Sequence, residues 1–118
     1  MDYEMHSDPS RDEVWQQIIE RAKSTIREVS HDEARNLFEK DCGTEVDDFE
    51  LQILEGIDKV ADQRLFFGNA DNCRVFLYCP SIDRGIWWEH RGGVTSRGLL
   101  GRVGREAARR VLENRGLL

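Results

Sequence analysis

The stretch Val75-Phe76-Leu77-Tyr78-Cys79-Pro80-Ser81-Ile82-Asp83-Arg84-Gly85-Ile86-Trp87-Trp88-Glu89-His90 decides the fold. Two short runs rich in aromatic and β-branched residues flank a turn-rich segment, the signature of an antiparallel hairpin. Successive strand residues point to opposite faces. Trp87 and Trp88 therefore cannot enter the same core, and Phe76-Leu77-Tyr78 makes the same demand. Either helices cover both faces of this sheet, or a partner covers one of them. Asp83-Arg84-Gly85 suits a type I turn with a glycine bulge, pairing Ile82 with Ile86. A two-residue turn at Ile82-Asp83 shifts that pairing by three positions, and the sequence leaves both registers open.

Upstream, Arg64-Leu65-Phe66-Phe67 reads as a further strand, separated from Cys73–Cys79 by the turn-rich Gly68-Asn69-Ala70-Asp71-Asn72. With Ile86–His90 this makes a three-stranded antiparallel meander. Before it the pattern is helical. Ser10 and Glu13 have capping-box spacing, and Trp15, Ile18, Ile19, Ala22, Ile26 and Val29 recur on one helical face. Ser30 and Glu33 repeat the cap signature ahead of Ala34, Leu37 and Phe38, with Gly43 as a stop. Thr44 and Asp47 open a third helix carrying Phe49, Ile53, Ile57, Val60 and Ala61. Downstream, Leu99, Leu100, Val103, Ala107, Ala108, Val111 and Leu112 predict a long helix from about Ser96 to Asn114. Gly101 and Gly104 each weaken it by about 1 kcal/mol relative to alanine, a cost that makes sense if another backbone packs closely there.

The expected fold is thus α+β: three N-terminal helices, a three-stranded antiparallel meander, and a long C-terminal helix packed on the sheet. Residues 1–9 read as a flexible N-terminal arm and 10–118 as a single domain. The 118 residues suffice for a core without disulfides or a structural metal.

Composition narrows the function classes. No apolar run approaches the roughly 20 residues of a membrane-spanning helix, and the acidic N-terminus lacks a signal-peptide pattern. Three cysteines, Cys42, Cys73 and Cys79, are an odd count that suits a reducing compartment. These features predict a cytoplasmic protein with no membrane partner. The net charge of −6 is unevenly placed: residues 1–60 hold 17 acids against 7 bases, and residues 61–118 hold 6 against 10. That balance argues against a general nucleic-acid coat and leaves room for a local anion site.

Candidate sites follow. Arg91, Gly92, Gly93, Thr95, Ser96 and Arg97 lie between the last expected strand and the last helix, where glycines, hydroxyls and free helix amides could cradle a phosphate or carboxylate. No Gly-Lys-Ser/Thr ending makes it a P-loop, and the plain reading is a connecting loop capped by Thr95 or Ser96. Arg102, Arg105 and Arg109 form a stripe that could meet nucleic-acid phosphates. Arg102–Glu106 and Arg109–Glu113 are also spaced for helix ion pairs, which favours a solvated or internally paired face. The cysteines and histidines lack zinc-binding spacing, so no metal or cofactor is expected. Glu45, Asp47, Asp48 and Glu50 complement a helix N-terminus more simply than they bind a cation. A catalytic set of Cys79 or Ser96 with His90 and Glu89 is hindered because adjacent Glu89 and His90 point apart. The leading expectation is a small acidic non-enzymatic protein-interaction module, adaptor-, chaperone- or inhibitor-like, whose partner is a second copy in a homodimer or another protein. Phe67, Tyr78, Trp87 and Trp88 are its interface candidates. The alternatives are an anion-ligand domain and nucleic-acid binding.

Overall fold

The computed structural model describes residues 9–42, 64–71, 73–91 and 94–118. Within them the order is α1 (Pro9–Arg21), a 3-10 turn (Lys23–Thr25), β1 (Arg27–Val29), α2 (His31–Cys42), β2 (Leu65–Asn69), β3 (Arg74–Cys79), β4 (Arg84–Arg91), β5 (Val94–Leu99) and α3 (Arg102–Asn114). The strands form one antiparallel sheet in the order β1-β2-β3-β4-β5. The fold is α+β, but three N-terminal helices ahead of a three-stranded meander is not its architecture. The expected helix over 44–61 lies outside the described residues, as does the expected arm over 1–9 except for Pro9, which opens α1.

The first correction falls at the end of α1. The apolar spacing carries a helix through Ile26 and Val29, yet α1 stops at Arg21. Thr25 explains part of this. Its hydroxyl donates to the Ala22 carbonyl at 2.7 Å and accepts the Asn69 amide at 2.9 Å, a local bond that competes with the next helical turn. The residues beyond it pair as a strand, Arg27 opposite Phe67 and the β-branched Val29 opposite Leu65. Ile26 packs with one core cluster and Val29 with the other, so the chain crosses between faces here. Ser30 caps α2 as its spacing predicts, accepting the Glu33 amide at 3.0 Å.

The second correction is β5. Val94–Leu99 pairs with β4 from Arg91↔Val94 to Ile86↔Leu99, so the last helix begins at Arg102 rather than near Ser96. Glycine at 98 suits a strand here: a Cβ at that position would lie 2.8 Å from the Trp87 ring, which covers the bare backbone.

The third is the β3–β4 connection. Cys79 pairs with Arg84, Tyr78 with Gly85 and Leu77 with Ile86, so the loop is the four residues Pro80–Asp83 and neither expected register occurs. Asp83 takes a positive φ of 51°, a region that aspartate tolerates better than most residues. Side-chain bonds hold it there, as described below.

Helices cover both faces of the sheet. On one, Trp15, Ile18 and Ile19 of α1 and Ala107, Ala108, Val111 and Leu112 of α3 pack on Phe66, Phe76, Tyr78 and Trp87. On the other, Ala34 and Phe38 of α2 pack with Phe67, Val75, Leu77, Ile86 and Trp88. Trp15 stacks on Trp87 with centroids 5.3 Å apart, and Phe38 meets Trp88 edge-on at 5.2 Å. A buried tryptophan removes about 200 Å² from water, worth roughly 5 kcal/mol at about 25 cal/mol per Å². The two faces are therefore anchored by comparable aromatic burial. Among the described residues the Trp15 Nε1 donor finds no hydrogen-bond partner, which offsets about 1–3 kcal/mol of that gain.

Candidate functional site

The four residues expected at an interface are core residues. Trp88 and Tyr78 are fully buried, and Trp87 and Phe67 nearly so. Among the described residues only Val14 and Leu118 are large exposed hydrophobics. Any interaction surface on these residues is therefore built from polar groups or main chain rather than from an apolar patch.

The sheet margins differ sharply. β1 is three residues long, and its charged side chains are paired across to neighbours: Arg27 with Glu33 at 2.8 Å and Glu28 with Arg64 at 3.1 Å. β5 is six residues long and outermost in the sheet. Leu100 donates its amide to the Gly85 carbonyl at 2.9 Å, which sets the phase of the ladder. Hydrogen-bonded and non-bonded pairs alternate in an antiparallel ladder. Ser96 and Gly98 accordingly bond back to β4, while Thr95, Arg97 and Leu99 direct their main-chain groups away from it. Leu99 is half-buried beside the second core cluster.

This placement changes the expected anion loop. Gly92 and Gly93 lie outside the described residues. Arg91 ends β4, Thr95, Ser96 and Arg97 belong to β5, and no strand-to-helix loop gathers them. The helix N-terminus that loop was to supply is occupied from elsewhere. Asp12 on α1 accepts the amides of Gly101 (3.1 Å), Val103 (2.8 Å) and Gly104 (2.9 Å), placing a carboxylate where the α3 dipole favours negative charge. Gly101 and Gly104 are small because of that carboxylate. A Cβ on them would lie 2.5 and 2.8 Å from Asp12 oxygens, so the close neighbour is a side chain and not a backbone.

The arginines of α3 are fasteners. Arg105 Nε lies 3.3 Å from Asp83 and its Nη1 donates to the Leu100 carbonyl. Arg109 donates to the Pro80 carbonyl at 2.9 Å. Arg110 pairs with Glu20 of α1 at 2.8 Å. Beyond the helix, Arg115 donates to the Lys23 and Ile26 carbonyls. Arg102 pairs with Glu106 at 3.5 Å, both well exposed. The internally paired reading of this stripe fits these contacts.

Asp83 centres a polar cluster at the hairpin turn. It accepts the Tyr78 hydroxyl at 2.7 Å and faces Arg105. Burial alone would raise its carboxyl, but the Tyr78 hydroxyl and the Arg105 and Arg109 guanidinium groups outweigh that and hold it below the usual carboxylate value. Tyr78 moves the other way. Burial, then the hydrogen bond to Asp83 and its charge, push the phenol up to about 12. Every group here is engaged in locking the hairpin turn to α3.

The catalytic set does not assemble. Cys79 and His90 lie at opposite ends of the β3–β4 ladder, since Cys79 opposes Arg84. Six strand residues then separate them by about 20 Å. Burial raises the Cys79 thiol, the opposite of nucleophile activation. Ser96 opposes Glu89, which lies 3.2 Å from Arg74, while His90 occupies the other face. Among the described residues no group of three His, Cys, Asp or Glu could hold a metal, and no helix is long and apolar enough to cross a membrane. Glu45, Asp47, Asp48 and Glu50 lie outside the described residues. A shallow cleft of about 490 Å³ is lined by Thr25, Arg27, Phe67, Asn69, Ala70 and Asp71. Its polar groups serve the fold: Thr25 as above, Arg27 on Glu33, and Asp71 accepting the Cys73 and Arg74 amides.

Reasoning from sequence missed Asp12, Asp83 and the β5 margin. Only β5 left a signal, in the β-branched pair Val94-Thr95. No protein-family model matches the chain, and no curated protein or solved structure is similar to it.

Proposed function

We propose that this protein is an interaction module that takes up a partner by strand addition along β5. The observation that carries this reading is the contrast between the two sheet margins. β1 is short and its charges are paired across to neighbours, as protected edges are. β5 runs for six residues without proline or lysine, and alternate residues aim amide and carbonyl groups outward. An added strand gains affinity from main-chain hydrogen bonds and needs no exposed apolar patch.

Hydrogen exchange on the isolated protein tests this directly. The Thr95 and Leu99 amides exchange fast, while Ser96 and Gly98 are protected by their bonds to β4. Equal protection of all four would mean that the margin is already covered, and the reading fails. Thr95→Pro removes an outward donor without touching the β4 ladder, a substitution that sheet edges tolerate. It leaves the fold intact and abolishes partner uptake.

A further inference from the structure

We infer that the strand added at β5 is β5 of a second copy of this chain, paired antiparallel about a two-fold axis at Ser96; the inference rests on the strand-addition reading above. Among the described side chains of β5 and the turn into α3, each charge is answered within the chain. Arg105 is engaged by Asp83 and Arg102 by Glu106. Arg97 is likewise engaged within its own chain. Glu89, which opposes Ser96 on β4, lies 3.2 Å from Arg74. These groups give a foreign segment no open charge to recognise, and they set no unanswered like charges against each other across a two-fold axis. What β5 offers is main chain, and a strand rotated about a two-fold axis runs antiparallel to itself. Joining β5 to β5 makes one continuous sheet whose outer margins are both the short, charge-guarded β1.

The register follows from the phase of the ladder. Thr95 and Arg97 direct their amides and carbonyls outward. With the axis at Ser96, Thr95 of each copy stands opposite Arg97 of the other, and each such pair exchanges both of its main-chain hydrogen bonds. Centring the axis on Arg97 instead sets two guanidinium groups directly opposite, which opposes pairing. Ser96 is small and exposed, so nothing bulky stands at the axis. An interface of one short strand is small, and the dimer is correspondingly weak and dissociates on dilution. The exchange test above therefore reads the dilute, monomeric protein. Each copy carries a net charge of −6, a repulsion that salt screens, so added salt strengthens the dimer.

The test is sedimentation of the whole protein from micromolar to millimolar concentration, with amide exchange measured at both ends of the range. The mass rises from one chain to two, and more steeply at raised salt. The Thr95 and Arg97 amides, fast in the dilute sample, slow by about tenfold in the concentrated one. Thr95→Pro keeps the protein monomeric throughout. Ser96→Cys forms a dimer linked at position 96 under mild oxidation, because a non-bonded cross-strand pair brings its Cα atoms within disulfide reach. A protein that stays monomeric with fast Thr95 and Arg97 amides overturns the second copy and leaves strand addition to another protein standing. A dimer that survives Thr95→Pro, or that gives no link at position 96, joins elsewhere and also overturns the pairing. If the Thr95 amide is slow at every dilution, the margin is covered within the chain and both readings fall.

Discussion

Replacing Asp12 with alanine removes the acceptor for three amides at the start of α3, those of Gly101, Val103 and Gly104. Losing a helix N-cap costs about 0.5–2 kcal/mol. The lost charge at the positive end of the helix adds about 0.3–1 kcal/mol. Asp12→Ala should therefore destabilise the protein by about 1–3 kcal/mol, and Asp12→Asn, which keeps an acceptor, by less than about 1 kcal/mol. Urea unfolding followed by the fluorescence of the Trp15–Trp87 stack is the assay. At a slope of about 2 kcal/mol per molar, Asp12→Ala lowers the midpoint by about 0.5–1.5 M. Gly104 supplies the internal control. Helix propensity alone makes Gly104→Ala stabilising by about 1 kcal/mol. Its Cβ, however, would lie 2.8 Å from Asp12 Oδ1, and overpacking costs about 1–3 kcal/mol. Gly104→Ala should thus be destabilising by about 1 kcal/mol in the native background and stabilising by about 1 kcal/mol once Asp12 is alanine, a coupling near 2 kcal/mol. Additive effects, or a cost below about 0.5 kcal/mol for Asp12→Ala, would refute the assignment of Asp12 as the α3 cap.

Three further outcomes follow from the contacts. Because the folded carboxyl of Asp83 lies below its ordinary value, its contribution is fully present above about pH 4 and is lost as pH falls through the folded value; Asp83→Asn should lower stability at neutral pH and flatten the acid limb of the stability profile, measured by urea midpoints against pH. The Tyr78 phenol is raised to about 12, so its contribution is present below about pH 10 and is lost as pH climbs from there through 12; tyrosinate absorbance should show a step near 12 that Tyr78→Phe abolishes, and a native Tyr78 that ionises near 10 would contradict its burial against Asp83. Arg115→Ala severs two hydrogen bonds to the Lys23 and Ile26 carbonyls and should cost about 1 kcal/mol in thermal unfolding, with faster amide exchange around the 3-10 turn.

How far the fold could be read in advance depends on how local its causes are. The pairing of β3 with β4 was legible because alternation resides in contiguous residues, though its turn and register were not, and the Ser30 cap was legible because its partner is three residues away. The stripe through Ile26 and Val29 misled because spacing of three or four apolar residues also describes a chain passing from a helix on one face to a strand reaching the other. β5 was hidden because Leu99 and Leu100 prolong the apolar pattern of the following helix, while Gly98 tolerates a strand only under the Trp87 ring, a neighbour in space. Tyr78 was legible as an apolar aromatic but not as the donor to Asp83. Asp12 was invisible as a cap, since its amides come from the far end of the chain. The β5 margin depends on strand order, which no local pattern states.

Asp12 and the amides it holds are 89 to 92 positions apart. During synthesis α1 leaves the ribosome first and α3 after every strand. At about 5–20 residues per second, Trp15, Ile18 and Ile19 wait roughly 5–20 s for the helix that seals them against Phe76 and Trp87. A nascent chain halted between Leu99 and Arg102 holds every strand of the sheet yet presents one aromatic face without its second helix. The seam between α1 and α3 thus makes the arrival of α3 the event that closes this side of the core, and a chain cut short before Arg102 keeps that face uncovered.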